Sequence, residues 1–224
     1  MQVLAVILAR ALVFVDSFEL NPKGAAFFPE VARSLVETCG FMKFPQKIED
    51  FDEQKGVEFS TGKWGGVTIE TLKIYRNGIM LDTRVSTDES KRIIGEALEW
   101  ASSTFGVVYN PKMISRTGYV SNLIFQTDVP ILGPDKSPAS HLANRVHSSF
   151  TELTGDTIAW APTILTLNSD TLPRKPLHAP FTIQRRADAT FAENKYYSEA
   201  PLPTRTHIEL LNEFEAGVRA SSPR

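Results

Sequence analysis

A basic and aromatic segment near the end of the chain has the residue types of a recognition surface. Residues 181–197 read FTIQRRADATFAENKYY and bring Arg186, Lys195, Tyr196 and Tyr197 close together in sequence. Arginine and tyrosine are favoured at protein interfaces, and both also suit single-stranded nucleic acid, because rings stack on bases and cations contact phosphates. We therefore expect these four side chains to form an exposed binding surface.

The two adjacent arginines of this segment are expected to have different surroundings. Successive side chains of a strand point to opposite faces, so Arg186 lies on the open face of a sheet if the apolar residues before it face helices. Arg185 then points toward the helices and needs a partner, for which the candidates are Asp188, Glu193 and Glu199. The alternative to a binding surface is an internal salt bridge that holds an irregular segment together.

An earlier hairpin adds positive charge to the same hypothesis. Asn77-Gly78 separates two strand-like runs in GVTIETLKIYRNGIMLDTR, and Asn-Gly supplies the positive φ angles of a type I′ turn. Lys73 and Arg76 come from this hairpin and, with Arg116, are candidates for a basic face. The net charge of −2 counts against nucleic acid as the partner, since phosphate contacts dominate such affinity.

The four histidines do not have the spacing of a metal site. They are His141, His147, His178 and His207, and neither an HExxH pattern nor paired cysteines accompany them. On one helix His141 and His147 would be about 600° of rotation apart, so they do not converge. We expect ordinary surface histidines, no metal and no cofactor.

A run of acids and a single cysteine complete the groups that could do chemistry. Glu49, Asp50, Asp52 and Glu53 lie in a polar stretch, where we expect a solvated loop rather than an acid–base pair or a magnesium site. Cys39 is the only cysteine, so no intramolecular disulfide can form. It lies near the end of a predicted helix, where a small buried apolar role is favoured over a nucleophile.

Length and composition are those of an ordinary soluble chain. It has 224 residues, of which 42% are hydrophobic and 22% are charged, so a core of normal size can form. The N-terminal stretch MQVLAVILARALVFVDSFEL is apolar, but it lacks the basic start of a signal peptide and is too short for a membrane span. We interpret it as one or two buried strands with Arg10 at a turn or an edge, and we expect a cytoplasmic protein without a membrane partner.

Helix and strand signals alternate along the rest of the chain. NPKGAAFFPEVARSLVETCGF predicts a helix with Pro29 in its first turn and Gly40 at its end. Three further helices follow, and their predicted caps are Ser86 or Thr87, then Ser137, and last a capping box of Thr206 and Glu209. The runs GVEFSTGKW, RTGYVSNLIFQTDVPIL, TIAWAPTILTL and APFTIQRRA predict strands.

The order of these elements predicts the fold class. The chain reads strand, helix, three strands, helix, and then strand, helix, two or three strands, helix. This indicates a single α+β domain over 1–224 with one curved antiparallel sheet, helices packed on one face and the other face open. A duplicated half, 1–112 and 113–224, is a further hypothesis. The order is similar to that of TATA-binding-protein-like and related helix-on-sheet folds, a likeness that implies no function.

The sequence favours a function without catalysis. We expect an interaction or assembly subunit of a cytoplasmic complex that recognises a protein partner, or a second copy of itself, through the open sheet face and residues 181–204. A nucleic-acid-binding module that uses a basic and aromatic sheet face is the first alternative. An enzyme whose site is assembled from dispersed residues is the second, because such a site leaves no local pattern.

Overall fold

The structure is a computed structural model that describes residues 1–24, 26–133, 137–169 and 179–221. Its strands are β1 (Gln2–Phe14), β2 (Val57–Trp64), β3 (Val67–Tyr75), β4 (Gly78–Thr83), β5 (Arg116–Gln126), β6 (Ile164–Leu167), β7 (Phe181–Arg185) and β8 (Lys195–Ala200). Its helices are α1 (Ser17–Leu20), α2 (Phe28–Cys39), α3 (Thr87–Phe105), α4 (Pro138–Thr154) and α5 (Thr204–Ser221). The strands form one open antiparallel sheet in the order β2-β3-β4-β1-β5-β8-β7-β6. The predicted α+β class is confirmed.

The chain divides into two compact units. The N-terminal unit comprises Val6–Ser121 and Leu202–Thr204, and the C-terminal unit comprises Met1–Ala5, Asn122–Pro201 and Arg205–Arg224. Each half of the chain follows the order strand, helix, three strands, helix, apart from the short α1. The duplication of a half-chain stays a prediction.

The apolar N-terminal stretch forms the single long strand β1, which runs to Phe14. Arg10 was expected at a turn or an edge, and this expectation is wrong. It lies inside β1 opposite Asp82 of β4, and its Nε and one terminal nitrogen each donate to a different carboxylate oxygen of Asp82 at 2.7 Å. A bidentate pair of this kind supplies the charge and the hydrogen bonds that a cation in a central strand requires.

The hairpin of β3 and β4 forms as predicted, but its turn differs. Tyr75 pairs with Gly78, so the two turn residues are Arg76 and Asn77 rather than Asn77 and Gly78. None of these residues has a positive φ angle, and the predicted type I′ turn is therefore wrong. Gly78 has another reason to be glycine, because a Cβ there would lie 2.7 Å from the carbonyl oxygen of Val13 in the adjacent strand β1.

The turn with positive φ angles lies one hairpin earlier. Trp64 of β2 pairs with Val67 of β3 around Gly65 and Gly66, whose φ angles are 54° and 84°. Positive φ at both central positions is the requirement of a type I′ turn, whose twist matches that of a hairpin. Two glycines meet this requirement without the steric cost that a Cβ would bring.

Helix α3 is fixed at its start by buried hydroxyl groups. The Ser86 side chain caps it, as predicted, by accepting from the Glu89 N–H at 3.2 Å. Thr87 and Thr204 exchange two hydrogen bonds, in which each backbone N–H donates to the other residue's Oγ1 at 3.0 and 2.8 Å. These bonds satisfy N–H groups that the first turn of a helix leaves without intrahelical partners.

A second hydroxyl contact joins α3 to the sheet. Ser90 is fully buried, and its Oγ donates to the Ala9 carbonyl oxygen of β1 at 2.7 Å. The same Oγ lies 3.0 Å from the hydroxyl of Thr83 in β4. Ala9 and Ala11 of β1 are both fully buried.

Helix α5 begins earlier than the sequence indicates. It starts at Thr204, so the predicted capping box of Thr206 and Glu209 is wrong. The backbone N–H of Thr204 finds an acceptor in Thr87, which explains why a cap at Thr206 is not needed. Glu209 instead pairs with Arg205 one turn before it, at 2.9 Å.

Helix α4 has the predicted cap, but none of its described residues is buried. The Ser137 side chain accepts from the Ser140 N–H at 3.1 Å, and Gly155 ends the helix with a φ of 75°. Among the helices that the structure describes, none is both long and apolar enough to cross a lipid bilayer.

We expect Gly78→Ala to lower the free energy of unfolding by about 1–3 kcal/mol, because the new methyl group would press on the Val13 carbonyl. Urea unfolding followed by circular dichroism measures this change. Gly118→Ala in β5 is the matched control, since a Cβ there meets nothing within 4 Å. Equal effects of the two substitutions would contradict the close approach of β1 and β4.

Candidate apolar binding cavity

The N-terminal unit contains an apolar cavity of about 530 Å³. Side chains from α1, α2, α3, β3 and β4 line it, so the cavity lies between the sheet and the helices of this unit. Small-molecule pockets in proteins have volumes of about 300–1,000 Å³ and mostly apolar walls. The volume and the lining therefore match a small-molecule site.

Apolar side chains of β3 and β4 form the sheet side of the cavity. Ile69 and Leu72 both line it, although their spacing places them on opposite faces of a regular strand. The change of face occurs beside Thr61 of β2, whose φ of 56° is a left-handed value that a β-branched residue rarely adopts. This irregularity explains why neither alternate set of side chains in β3 is purely apolar in the sequence.

Helices α2 and α3 form the opposite side through faces that the sequence predicts. Pro29 in the first turn and Gly40 at φ 63° bound α2, and both predictions are confirmed. The residues that these helices contribute to the wall are Phe28, Val31, Leu35 and Cys39 from α2, and Ile93, Ile94, Ala97, Leu98, Trp100 and Ala101 from α3. Ala97 and Ala101 are one turn apart and short, so α3 does not fill the space in front of them.

Two tryptophans close one side of the cavity. The rings of Trp64 and Trp100 meet edge to face with their centroids 6.2 Å apart, and both residues line the cavity. The Trp64 indole N–H donates to a carboxylate oxygen of Glu96 on α3 at 2.9 Å. Trp100 also meets Phe105 edge to face at 5.5 Å. These contacts hold the second half of α3 against β2.

The polar groups of the cavity lie in one wall, which α1 and the loop after α1 form. Phe18 is exposed in this wall, so the cavity meets the solvent here. Ser17, Asn21 and Glu53 are the polar residues of this wall, and Ser17 Oγ donates to a Glu53 carboxylate oxygen at 3.4 Å. The Asn21 side chain is committed to the loop, because it donates to the Ala26 carbonyl at 2.7 Å and accepts from the Ala26 N–H at 3.2 Å.

Cys39 is buried in the cavity wall, as the sequence predicts for a small apolar residue. Burial raises the pKa of its thiol to about 11. The thiol is therefore protonated at neutral pH and is a poor nucleophile.

The acidic run of the sequence stabilises a local turn. Asp50 accepts from the backbone N–H groups of Gln46 and Lys47 at 2.9 Å, and these bonds lower the pKa of its carboxyl group. Asp52 accepts from the Gln54 N–H at 2.9 Å with the same effect on its pKa. All four acids lie in the turns between α2 and β2, where a loop was predicted, and Glu53 alone of them also lines the cavity.

The basic residues of the segment at 181–197 make short-range ion pairs. Arg186 binds both carboxylate oxygens of Asp188, at 2.5 and 2.7 Å, and this contact raises the pKa of Arg186 and lowers that of Asp188. Lys195 lies 2.6 Å from Glu193 and, with the hydrogen bonds from Thr190, lowers the pKa of Glu193 to about 2. Ion pairs inside the segment are thus present for Arg186 and Lys195, and whether they hold the segment together stays a prediction.

The two tyrosines of the segment lie on opposite faces of β8. Tyr196 has no exposed surface, so its expected place on an exposed surface is wrong. Its ring stacks on Phe125 at 5.5 Å, and its hydroxyl accepts from the Ile131 N–H at 3.3 Å. Tyr197 is half-buried and donates to Glu199 at 3.2 Å, and burial raises its pKa to about 12. A binding role for Arg186, Lys195 and Tyr197 stays a prediction.

Arg185 finds a different kind of partner from the one expected. It is buried, as predicted, but none of the three candidate carboxylates binds it. It donates to the Phe191 carbonyl oxygen at 3.1 Å, and its guanidinium lies over the rings of Phe191 and Tyr196 at 4.9 and 5.2 Å. Its Nε has no acceptor among the described residues. Aromatic faces therefore replace the expected salt bridge.

The other predicted cations are likewise engaged within the N-terminal unit. Lys73 lies 2.7 Å from Glu58, which raises the pKa of the lysine and lowers that of the glutamate. Arg76 stacks on Phe18 at 4.7 Å, and Arg116 stacks on Phe14 at 4.4 Å. Lys73 is thus paired with an acid, whereas Arg76 and Arg116 are exposed and keep their charge beside an aromatic ring, so the nucleic-acid alternative stays a prediction.

The three histidines that the structure describes are not grouped into a metal site. His141 and His147 lie on α4, where His147 Nδ1 is 2.6 Å from the Ile158 carbonyl oxygen. His178 lies outside the described residues. Within the described part of the chain, no three His, Cys, Asp or Glu side chains are grouped so that they could hold a metal ion.

His207 is fully buried in α5, so its expected place on the surface is wrong. Its Nε2 lies 2.8 Å from the Ser198 hydroxyl, and that hydroxyl donates to the Thr182 carbonyl oxygen at 2.7 Å. Because the serine proton is committed and both side chains are closed to solvent, the pair is part of the core rather than a nucleophile with its base.

The C-terminal unit carries exposed apolar side chains on α4 and β6 that the sequence did not indicate. Leu142 and Leu153 of α4 are 64% and 85% exposed, and Ile164 and Leu167 of β6 are 55% and 56% exposed. The amphipathic pattern of α4 predicts a buried face, and no side chain of the described residues covers it enough to bury it.

No local pattern in the sequence marks the cavity. Its walls are the apolar faces from which any core is built, and only the three-dimensional distance between them shows that they enclose unfilled space. The pair Ala97 and Ala101 on an otherwise large-residue face is the one available signal.

A scan against models of protein families finds no match for the chain, and no curated protein matches it. The proposals that follow therefore rest on the geometry of the two units.

We expect Cys39 in the folded protein to react with iodoacetamide as a thiol whose pKa is about 11, against an ordinary value of 9.0. Since the folded pKa is the higher one, the contribution of this thiol to stability is fully present below pH 9 and is lost as the pH rises toward 11. The alkylation rate against pH measures the first effect. Unfolding at several pH values, compared with Cys39→Ser, measures the second.

An alkylation profile that reaches its midpoint at or below pH 9 in the folded protein would contradict the burial of Cys39. The same profile in urea-unfolded protein is the internal control, because the exposed thiol should titrate near its ordinary value.

Proposed function

We propose that the N-terminal unit binds an apolar small molecule in its cavity and holds it without converting it. The observation that carries this proposal is the cavity of about 530 Å³ at the position of the core. Protein interiors are otherwise close-packed, with few voids larger than a water molecule. An apolar cavity favours an apolar guest, because the guest leaves water and gains contacts with the walls.

The chemistry of the lining supports holding rather than catalysis. Apart from the indole N–H groups, its polar or nucleophilic side chains among the described residues are Ser17, Asn21, Cys39 and Glu53. Cys39 is protonated and Asn21 is bound to its own loop. Ser17 donates to Glu53 at 3.4 Å, the long limit of a hydrogen bond, and no histidine or lysine accompanies the pair among the described lining residues.

The first test is to fill the cavity. We expect Ala97→Phe to weaken binding of the apolar fluorophore N-phenylnaphthylamine by about tenfold or more, because the ring would occupy the space in front of α3. Fluorescence titration measures this affinity. Ala216→Phe on an exposed position of α5 is the matched control and should bind like the wild type.

The proposal fails if the wild type gives no saturable binding, or if Ala97→Phe binds as well as the control. Organic extraction of the freshly purified protein, followed by mass spectrometry, identifies a molecule retained from the cell. Bound ligand also stabilises the fold: at a free ligand concentration of a hundred times the dissociation constant, the free energy of unfolding rises by about 2.7 kcal/mol, and the unfolding midpoint rises with it.

A second candidate function, self-association, is favoured by the exposed leucines Leu142 and Leu153 of α4. We propose that α4 pairs with α4 of a second copy of this chain. Exposed apolar patches on otherwise polar surfaces mark interaction sites. Arg145 and Glu152 are the charged residues of α4 and lie seven positions apart, on the same side of the helix. An antiparallel pair of these helices about a two-fold axis places each arginine beside the partner's glutamate.

We expect the double substitution Leu142→Glu and Leu153→Glu to abolish this association, because it places four like charges in a symmetric contact. Light scattering on chromatographically purified protein measures the solution mass. Neither leucine is buried, so the fold should remain intact by circular dichroism. Asn144→Glu, at another exposed position of α4, is the control. A wild-type monomer, or a double variant that still associates, would contradict this candidate.

A further inference from the structure

We infer that the cavity selects an apolar molecule whose head group donates a hydrogen bond, a hydroxyl or an ammonium group, and that Glu53 receives it. This inference rests on the binding function proposed above, and it adds the chemical class of the ligand.

The position of Glu53 is set by its backbone. Its carbonyl oxygen accepts from the Arg76 N–H at 3.0 Å, which ties the segment before β2 to the turn after β3. The side chain is half-buried and lines the cavity near its exposed wall. A carboxylate held in this way is available to a ligand without any rearrangement of the chain.

The carboxylate of Glu53 has unused hydrogen-bonding capacity. A carboxylate accepts at about four lone-pair positions. The Glu53 carboxylate accepts a hydrogen bond from Ser17 Oγ at 3.4 Å, which is at the long limit for an O–H···O bond. The neighbouring Asn21 amide is occupied at both ends by the backbone of Ala26, so Glu53 is the charged acceptor that this wall offers a head group, beside the weaker Ser17 hydroxyl.

The charge of the lining determines which head groups are favoured. Glu53 is the one acid among the described residues of the wall, and no lysine, arginine or histidine accompanies it. Next to apolar surface the effective dielectric constant is lower than in water, so a ligand carboxylate is repelled and a donor is attracted. Fatty-acid anions are therefore the disfavoured class.

Arg76 is the cation that could reverse this preference. Its guanidinium lies 4.7 Å above the ring of Phe18, but Arg76 itself does not line the cavity. A carboxylate ligand would have to leave the apolar space to reach it. The test therefore includes this residue.

The experiment compares three probes with the same chain and different head groups. Dodecanol, dodecylammonium and dodecanoate are each titrated below the concentration at which they form micelles, by displacement of N-phenylnaphthylamine from the full chain. We expect dodecanol and dodecylammonium to bind about tenfold or more tightly than dodecanoate, the gain typical of a hydrogen bond to a charged group. Glu53→Gln should remove most of this difference, while Arg76→Gln should keep it.

Each other outcome overturns the inference in a recognisable way. Equal binding of the three probes leaves the cavity function standing and removes the selection by Glu53. If dodecanoate binds most tightly of the three probes and this preference is lost in Arg76→Gln, Arg76 rather than Glu53 binds the head group. Binding of none of the probes, or of the fluorophore, rejects the cavity function together with the inference. Circular dichroism confirms that both variants are folded, which is expected because the Arg76–Glu53 bond uses backbone atoms.

Discussion

The way in which α3 is held determines what the N-terminal unit can contain. Buried hydroxyl groups fix its start, where Ser90 reaches the Ala9 carbonyl and Thr87 exchanges hydrogen bonds with Thr204. Edge-to-face aromatic contacts of Trp100 fix its second half. Between these ends Ile93, Ile94 and Leu98 pack into the core, whereas the short side chains of Ala97 and Ala101 line the cavity. The contacts at both ends therefore hold the helix in place without large side chains at these two positions.

The elements of the fold follow from local rules, which is why the sequence predicts most of them. The Ser86 and Ser137 caps, Pro29 and Gly40 act over a few residues, and each is found where expected. The predictions are wrong at positions where a residue distant in sequence determines the local structure. Thr87 supplies an acceptor that starts α5 early, and Val13 requires glycine at 78 for a reason unrelated to the turn. Asp82 allows a cation inside the central strand β1.

The candidate site could not be predicted from the sequence, because it too depends on residues that are distant along the chain. Apolar faces of helices and strands can be predicted, but the distance between them cannot, and a cavity is a property of that distance. The sequence instead drew attention to arginine and tyrosine at 185–197, whose types suit recognition. Their partners lie close by: Arg186 has Asp188, Lys195 has Glu193, and Tyr196 lies under Arg185 in the core. Residue type indicates what a side chain can bind, and only the fold shows whether it is already bound.

The cavity also gives the N-terminal unit a particular response to pressure. Unfolding removes internal voids, so the unfolded state of a hollow protein occupies less volume than the folded one, and compression favours it. The cavity of about 530 Å³ meets the solvent beside Phe18, so its apolar parts that water does not occupy are the ones that contribute to this volume difference. A guest that fills this space removes the volume difference and makes the unit stiff. Binding of a guest in the cavity is thus expected to lower the compressibility of the protein, even where no atom of the backbone moves.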